Sequence, residues 1–149
     1  MPRFVLLRHE CPPDYRDGPH WDLMLERPDM QAEHRLATWS LLALPTAWVA
    51  MLGREGASQG GSRRASRAET VDATRLADHR AVYLDREGPI GGGRGSVERW
   101  ARGSVAWLGE GVDLVELRLV FEGINRAGTV CLSTPGGERW RLEWVEDPH

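Results

Sequence analysis

From Leu114 to Phe121 the chain alternates without a break. Leu114, Glu116, Arg118 and Val120 share one face, and Val115, Leu117, Leu119 and Phe121 share the other. Residues i and i+2 point the same way only in an extended strand, so this segment predicts a half-buried antiparallel β-strand. "HWDLMLE" repeats the pattern, with Trp21, Leu23 and Leu25 opposing His20, Asp22, Met24 and Glu26. "RFVLLRH" is a short apolar strand ending in a polar pair, and "HRLATWSLLAL" is a third, closed by Pro45. "SVERW", "GSVAWLG", "AGTVCLS" and "ERWRLEW" follow between glycine turns. "TAWVAMLG" predicts one or two helical turns stopped at Gly53. Roughly six to eight short strands with so little helix favour a mainly β fold. The expected architecture is a small closed or nearly closed antiparallel β-barrel with one or two short flanking helices, because closure removes the edges of an open sheet.

The 149 residues suit a single domain, 1–149, that can bury a substantial core. Within it, residues 53–70 carry no apolar side chain larger than alanine before Val71, and they predict a mobile surface loop. Arg54, Arg63, Arg64 and Arg67 outnumber Glu55 and Glu69 there. A solvated linker accounts for that composition, and so does an arm that touches phosphates. A net charge of −3 excludes a generally basic nucleic-acid binder but leaves room for a local basic patch. All 19 basic residues are arginine, so no lysine-bearing phosphate loop can form. Cys11 and Cys131 are too few and too far apart for a disulfide framework. With no signal-peptide pattern and no apolar run near ~18 residues, the expectation is a cytoplasmic protein that does not engage a membrane.

Two constellations carry chemistry. On one strand face His20 and Asp22 lie about 6.5–7 Å apart at Cα, so an imidazole and a carboxylate can aim at one point. The connection "ECPPDYRDGP" lets the two flanking strands pair and brings His9 alongside. Two nitrogens and a carboxylate oxygen suit a divalent transition metal such as manganese, zinc or ferrous iron. A surface or hydrogen-bonded pair explains His-x-Asp as well, and Cys11 is a further possible ligand. The second constellation is "LADHRAVYLDREGPIGGGRG", with His79 four residues before Tyr83 and a glycine-rich turn carrying Arg94. Such glycines let backbone amides approach an oxyanion, and they also serve a sharp turn.

Taken together, "FVLLRH", "HWDLMLE", "TWSLLALP", "DHRAVYLDREGPIGGGRG" and "LVELRLVFEGINRAGTVCLS" resemble, in order, the motifs of the 3′-phosphoesterase domain of bacterial DNA ligase D and its stand-alone relatives. The resemblance spans Phe4 to about Trp144. It implies a small β-barrel, a manganese cofactor, and removal of a 3′-terminal ribonucleoside and then the 3′-phosphate during break repair by end joining. His9, His20 and Asp22 match the family's metal ligands, His79 its catalytic histidine and Tyr83 the accompanying tyrosine. Glu26 matches the glutamate ending the metal-binding strand, in a supporting role. The implied partners are DNA or RNA/DNA 3′ ends and a ligase or polymerase. Met24 stands where the family strand has arginine, and the lysine after the tryptophan strand is missing. Arg8, Arg75, Arg80 and Arg94 are the candidates to bind phosphate instead. Those departures leave two other readings: a catalytically weakened end-binding or scaffold module, or a hydrolase of small phosphoesters.

Overall fold

The computed structural model describes residues 1–11, 18–28, 34–54, 62–63, 68–89 and 95–148. Ten strands run in chain order: β1 (Arg3–Glu10), β2 (His20–Glu26), β3 (His34–Leu41), β4 (Ser62–Arg63), β5 (Ala68–Arg80), β6 (Gly88–Pro89), β7 (Ser96–Glu110), β8 (Leu114–Phe121), β9 (Arg126–Gly136) and β10 (Arg139–Glu146). One α-helix, α1 (Thr46–Leu52), follows β3, and a 3-10 turn, Ala81–Leu84, follows β5. The pairing order β1-β2-β3-β5-β10-β9-β8-β7 returns to β1 through the β1–β7 pair, so eight antiparallel strands form a ring. The expected mainly β, nearly closed barrel is the architecture found.

Alternation decides what the ring encloses. Phe4 and Leu6 of β1, Trp21, Leu23 and Leu25 of β2, and Val115, Leu117, Leu119 and Phe121 of β8 all point into the main core. Trp48 from α1 stacks edge-on against Phe121 and Trp144, with ring centroids 5.7 and 5.5 Å away. Rings meeting at such angles add about 0.5–1.5 kcal/mol per pair beyond the area they bury. The helix ends at Gly53, whose φ of 66° is left-handed, as the sequence predicts. Its first turn has no cap of its own; the buried Glu69 carboxylate on β5 supplies one. Glu69 accepts from the Thr46 N–H at 2.7 Å, the Ala47 N–H at 3.0 Å and the Thr46 hydroxyl at 2.5 Å.

Three boundaries differ from expectation. "SVERW" and "GSVAWLG" are one strand, β7, continuous through a β-bulge opposite Leu6 and Leu7 that leaves Trp100 as the extra residue. Of the expected loop 53–70, Ser62 and Arg63 pair with Thr70 and Glu69, and Ala68–Thr70 open β5. Residues 55–61 and 64–67 lie outside the described residues. Finally, the 13-residue strand β5 was not among the expected strands.

Candidate metal centre

The ring has a second, smaller apolar cluster on its outer side, built from Val5, Leu7, Met24, Leu36, Leu84 and Val97, with Tyr83 packed against it. These are the residues that alternate with the core-facing ones, so one sheet wall serves both clusters. His9, His20 and Asp22 continue the outward series Val5–Leu7 and Met24 toward one end. None of the three is more than 5% exposed.

The β1–β2 register puts His9 directly opposite His20, and their rings meet edge to face at 4.8 Å. Asp22 follows on the same face, its Oδ2 3.9 Å from His9 Nδ1 and its Oδ1 3.3 Å from His20 Nε2. His20 Nδ1 lies 2.7 Å from the Gly18 carbonyl oxygen. A carbonyl oxygen only accepts, so Nδ1 carries a proton, and Nε2 is the nitrogen that faces Asp22. A backbone carbonyl fixing one ring nitrogen while the other faces a ligand is the usual outer support of a metal-binding histidine.

Cys11 completes a buried His9–Cys11–His20 group whose ligand atoms lie within 4.8 Å of one another, a group able to hold a metal ion. The Cys11 thiol donates to the Gly18 carbonyl at 2.9 Å and stands 3.9 Å from His20 Nδ1. Cys11 thus approaches the nitrogen that Gly18 already engages, and Asp22 approaches the other. The Cys11 backbone is held by Gly95: a Cβ there would fall 1.9 Å from the Glu10 carbonyl oxygen and 2.7 Å from the Cys11 Cα. Only glycine fits that crossing, at a φ of 90°.

His79 and Tyr83 form a second pair, rings 5.7 Å apart. His79 sits on the smaller cluster's face because of register shifts in the β3–β5 pair. They place His79 opposite Leu36, whose side chain belongs to that cluster. Leu36 in turn pairs with Glu26, whereas Asp22 pairs with Ser40. The His79 row and the Asp22 row are therefore four residues apart along β2, about 13 Å, with the Met24–Thr38 row between them. His79 Nδ1 donates to the Ala77 carbonyl at 2.9 Å. Glu26 is a structural clamp: it accepts the Arg3 N–H at 3.0 Å and pairs with Arg35 at 2.9 Å.

Of the expected phosphate arginines, Arg8, Arg75 and Arg80 are not brought together. Arg8 alternates with His9 and faces the other side of the sheet, stacked 4.3 Å over Trp21 and bonded to Glu10 at 2.8 Å. Arg75 also lies away from the histidines, 4.3 Å over Trp39. Burial and the nearby Arg27 guanidinium lower its pKa. Arg27 bridges Asp78 at 2.6 Å and Glu110 at 3.1 Å; burial opposes its charge, and those two acids outweigh it and raise its pKa. Arg80 is exposed at the end of β5, and Arg94 lies outside the described residues. A surface hollow of about 430 Å³ beside Arg3, Asp85, Arg102 and Glu122 is lined by ion-paired groups and includes none of the histidines.

Sequence reasoning did not single out Arg99. From β7 it pairs with Leu7 of β1, whose other neighbour is Asp22 of β2. The bulge between Leu6 and Leu7 that turns Trp100 and Ala101 toward the main core leaves Arg99 outward with Val97, and no local pattern in "SVERWARG" announces that switch. No family model matches the chain, and no curated protein matches it.

Proposed function

We propose that the chain is a metal-dependent phosphoesterase acting on the 3′ ends of nucleic acid, in keeping with the 3′-phosphoesterase domain that its motifs resemble. One observation carries the reading: two imidazoles and a carboxylate converge in a buried group, and Asp22 Oδ1 accepts no hydrogen bond there among the described residues. A buried anionic oxygen in that state costs free energy unless a cation meets it. His9, His20 Nε2 and Asp22 would hold the ion. Manganese fits this nitrogen and oxygen set, and zinc becomes the better fit if Cys11 joins. When bound, a divalent metal stabilises charge on the phosphate oxygens and lowers the pKa of a nearby water.

The chain's own residues then divide the work. Gly18 and Asp22 fix the orientation of His20. His79, further along the same face, would act as the imidazolium: its Nε2–H would donate to a phosphate oxygen, or pass its proton to the leaving oxygen as water attacks phosphorus, the P–O bond to that oxygen breaks and the water's proton goes to solvent. Tyr83 orients His79. Substrates would be DNA or RNA/DNA 3′ ends, with a ligase or polymerase as the partner in break repair.

The test is a primer–template carrying one 3′-terminal ribonucleotide, incubated with manganese, with zinc and with chelator. The expected result is release of the ribonucleoside that stops with chelator and with His20→Ala. Activity that survives both removes the metal assignment. A second reading, an end-binding module without turnover, is favoured by Met24, which is 1% exposed within the apolar cluster and presents no charge. Tight binding of 3′-phosphate DNA with no product over many hours would establish it.

A further inference from the structure

We infer that Arg99 provides the guanidinium that grips the substrate's phosphate, the charge Met24 does not offer; this rests on the phosphoester reading of the outer face. The argument is one of register. Leu7 pairs with Asp22 on one side and Arg99 on the other, and His9 pairs with His20 and Val97. Arg99 is thus the diagonal neighbour of His9. Such neighbours stand about 7–8 Å apart at Cα, within reach of a long side chain on the same face. Strand alternation confirms the direction: Val97 lies in the outer cluster, and Glu98 turns to Trp100, accepting its indole N–H at 2.8 Å.

The neighbouring charges leave the guanidinium available. Glu87 Oε2 takes the Arg99 backbone N–H at 2.8 Å. Arg102, outward on the same strand opposite Val5, is committed to Glu122 at 3.2 Å; no such ion pair holds Arg99 among the described residues. Arg99 is also half-buried, where an Arg–phosphate fork is stronger than in open water. A dianionic 3′-phosphate held by His9, His20, Asp22 and their ion would therefore meet one forked cation from β7.

The experiment compares binding of fluorescent single-stranded DNA ending in 3′-phosphate or 3′-hydroxyl to wild-type protein, Arg99→Ala, Arg99→Lys, Arg102→Ala and His20→Ala, with metal content measured for each. Wild type should prefer the 3′-phosphate. Arg99→Ala should lose that preference by roughly 10–100-fold while retaining its metal. Arg99→Lys should recover part of it, and Arg102→Ala should match wild type. Full preference in Arg99→Ala, with His20→Ala impaired, overturns the role of Arg99 and leaves the site reading standing. A wild-type protein with neither 3′-phosphate preference nor 3′-end hydrolysis in any metal overturns both.

Discussion

Replacing Asp22 with asparagine decides which donor set the buried histidines serve. Asparagine keeps the shape of the side chain and removes its charge. In metal-free protein the change should be small, within about 1–2 kcal/mol, because the carboxylate's nearest partners are imidazoles at 3.3 and 3.9 Å and not a fixed cation. With metal the two proteins should part. At a hundred times its Kd an ion that binds only the folded state stabilises it by about 2.7 kcal/mol. For a chain of this size that is a rise in Tm of about 5–11 °C. A neutral amide in place of the carboxylate should weaken binding about a hundred-fold. At the same ion concentration the gain then falls to about 0.4 kcal/mol, or roughly 1 °C. The assay is scanning calorimetry of chelator-stripped Asp22→Asn, Cys11→Ser and wild-type protein, each with and without manganese or zinc. A full metal-induced shift in Asp22→Asn beside a lost shift in Cys11→Ser would refute the carboxylate set in favour of the thiol. An unshifted wild type would refute a metal on this group altogether.

Other substitutions test the supports of that site. Gly95→Ala should cost at least ~2 kcal/mol, since its methyl would strike the Glu10 carbonyl, and urea denaturation should show it; a midpoint equal to wild type would mean the two backbones are not in contact. Glu69→Ala should destabilise by about 2–4 kcal/mol and speed hydrogen exchange at the Thr46 and Ala47 amides, the donors it leaves without their acceptor. Trp48→Ala should cost about 3–5 kcal/mol by emptying the space against Phe121 and Trp144. Cys131 has its pKa raised by burial first and then by Glu116 and Glu143. In a Cys11→Ser background its alkylation should therefore set in at higher pH than for a free cysteine. The folded state holds this proton more tightly, so the stability it contributes is present below the ordinary thiol pKa and is lost as pH rises through the folded value.

The parts of the fold legible in the sequence were those where alternation is chemically loud. Leu114–Phe121 and His20–Glu26 pair large apolar residues against charged ones, and both are strands with the expected faces. β5 is quiet by comparison: small Ala73 faces the core, Arg75 occupies the next inward position over Trp39, and the register shifts beside Leu36 break the period. The convergence of His9, His20 and Asp22 was readable because it needs one tight pairing and a two-residue spacing. Gly95 and Arg99 were not, because each depends on a crossing or bulge between segments far apart in the chain, and Cys11 stayed an open alternative until the fold set its thiol beside His20.

The wall that divides the two clusters is a single layer of backbone. On β2, Trp21, Leu23 and Leu25 belong to the barrel interior, while His20, Asp22 and Met24 belong to the outer face. Neighbouring residues thus answer to different demands. Changes at every second position on this strand fall on the outer cluster and leave the contacts of the tryptophan-rich interior in place. Met24, buried in the outer cluster, consequently answers to the packing of that cluster and not to the barrel interior.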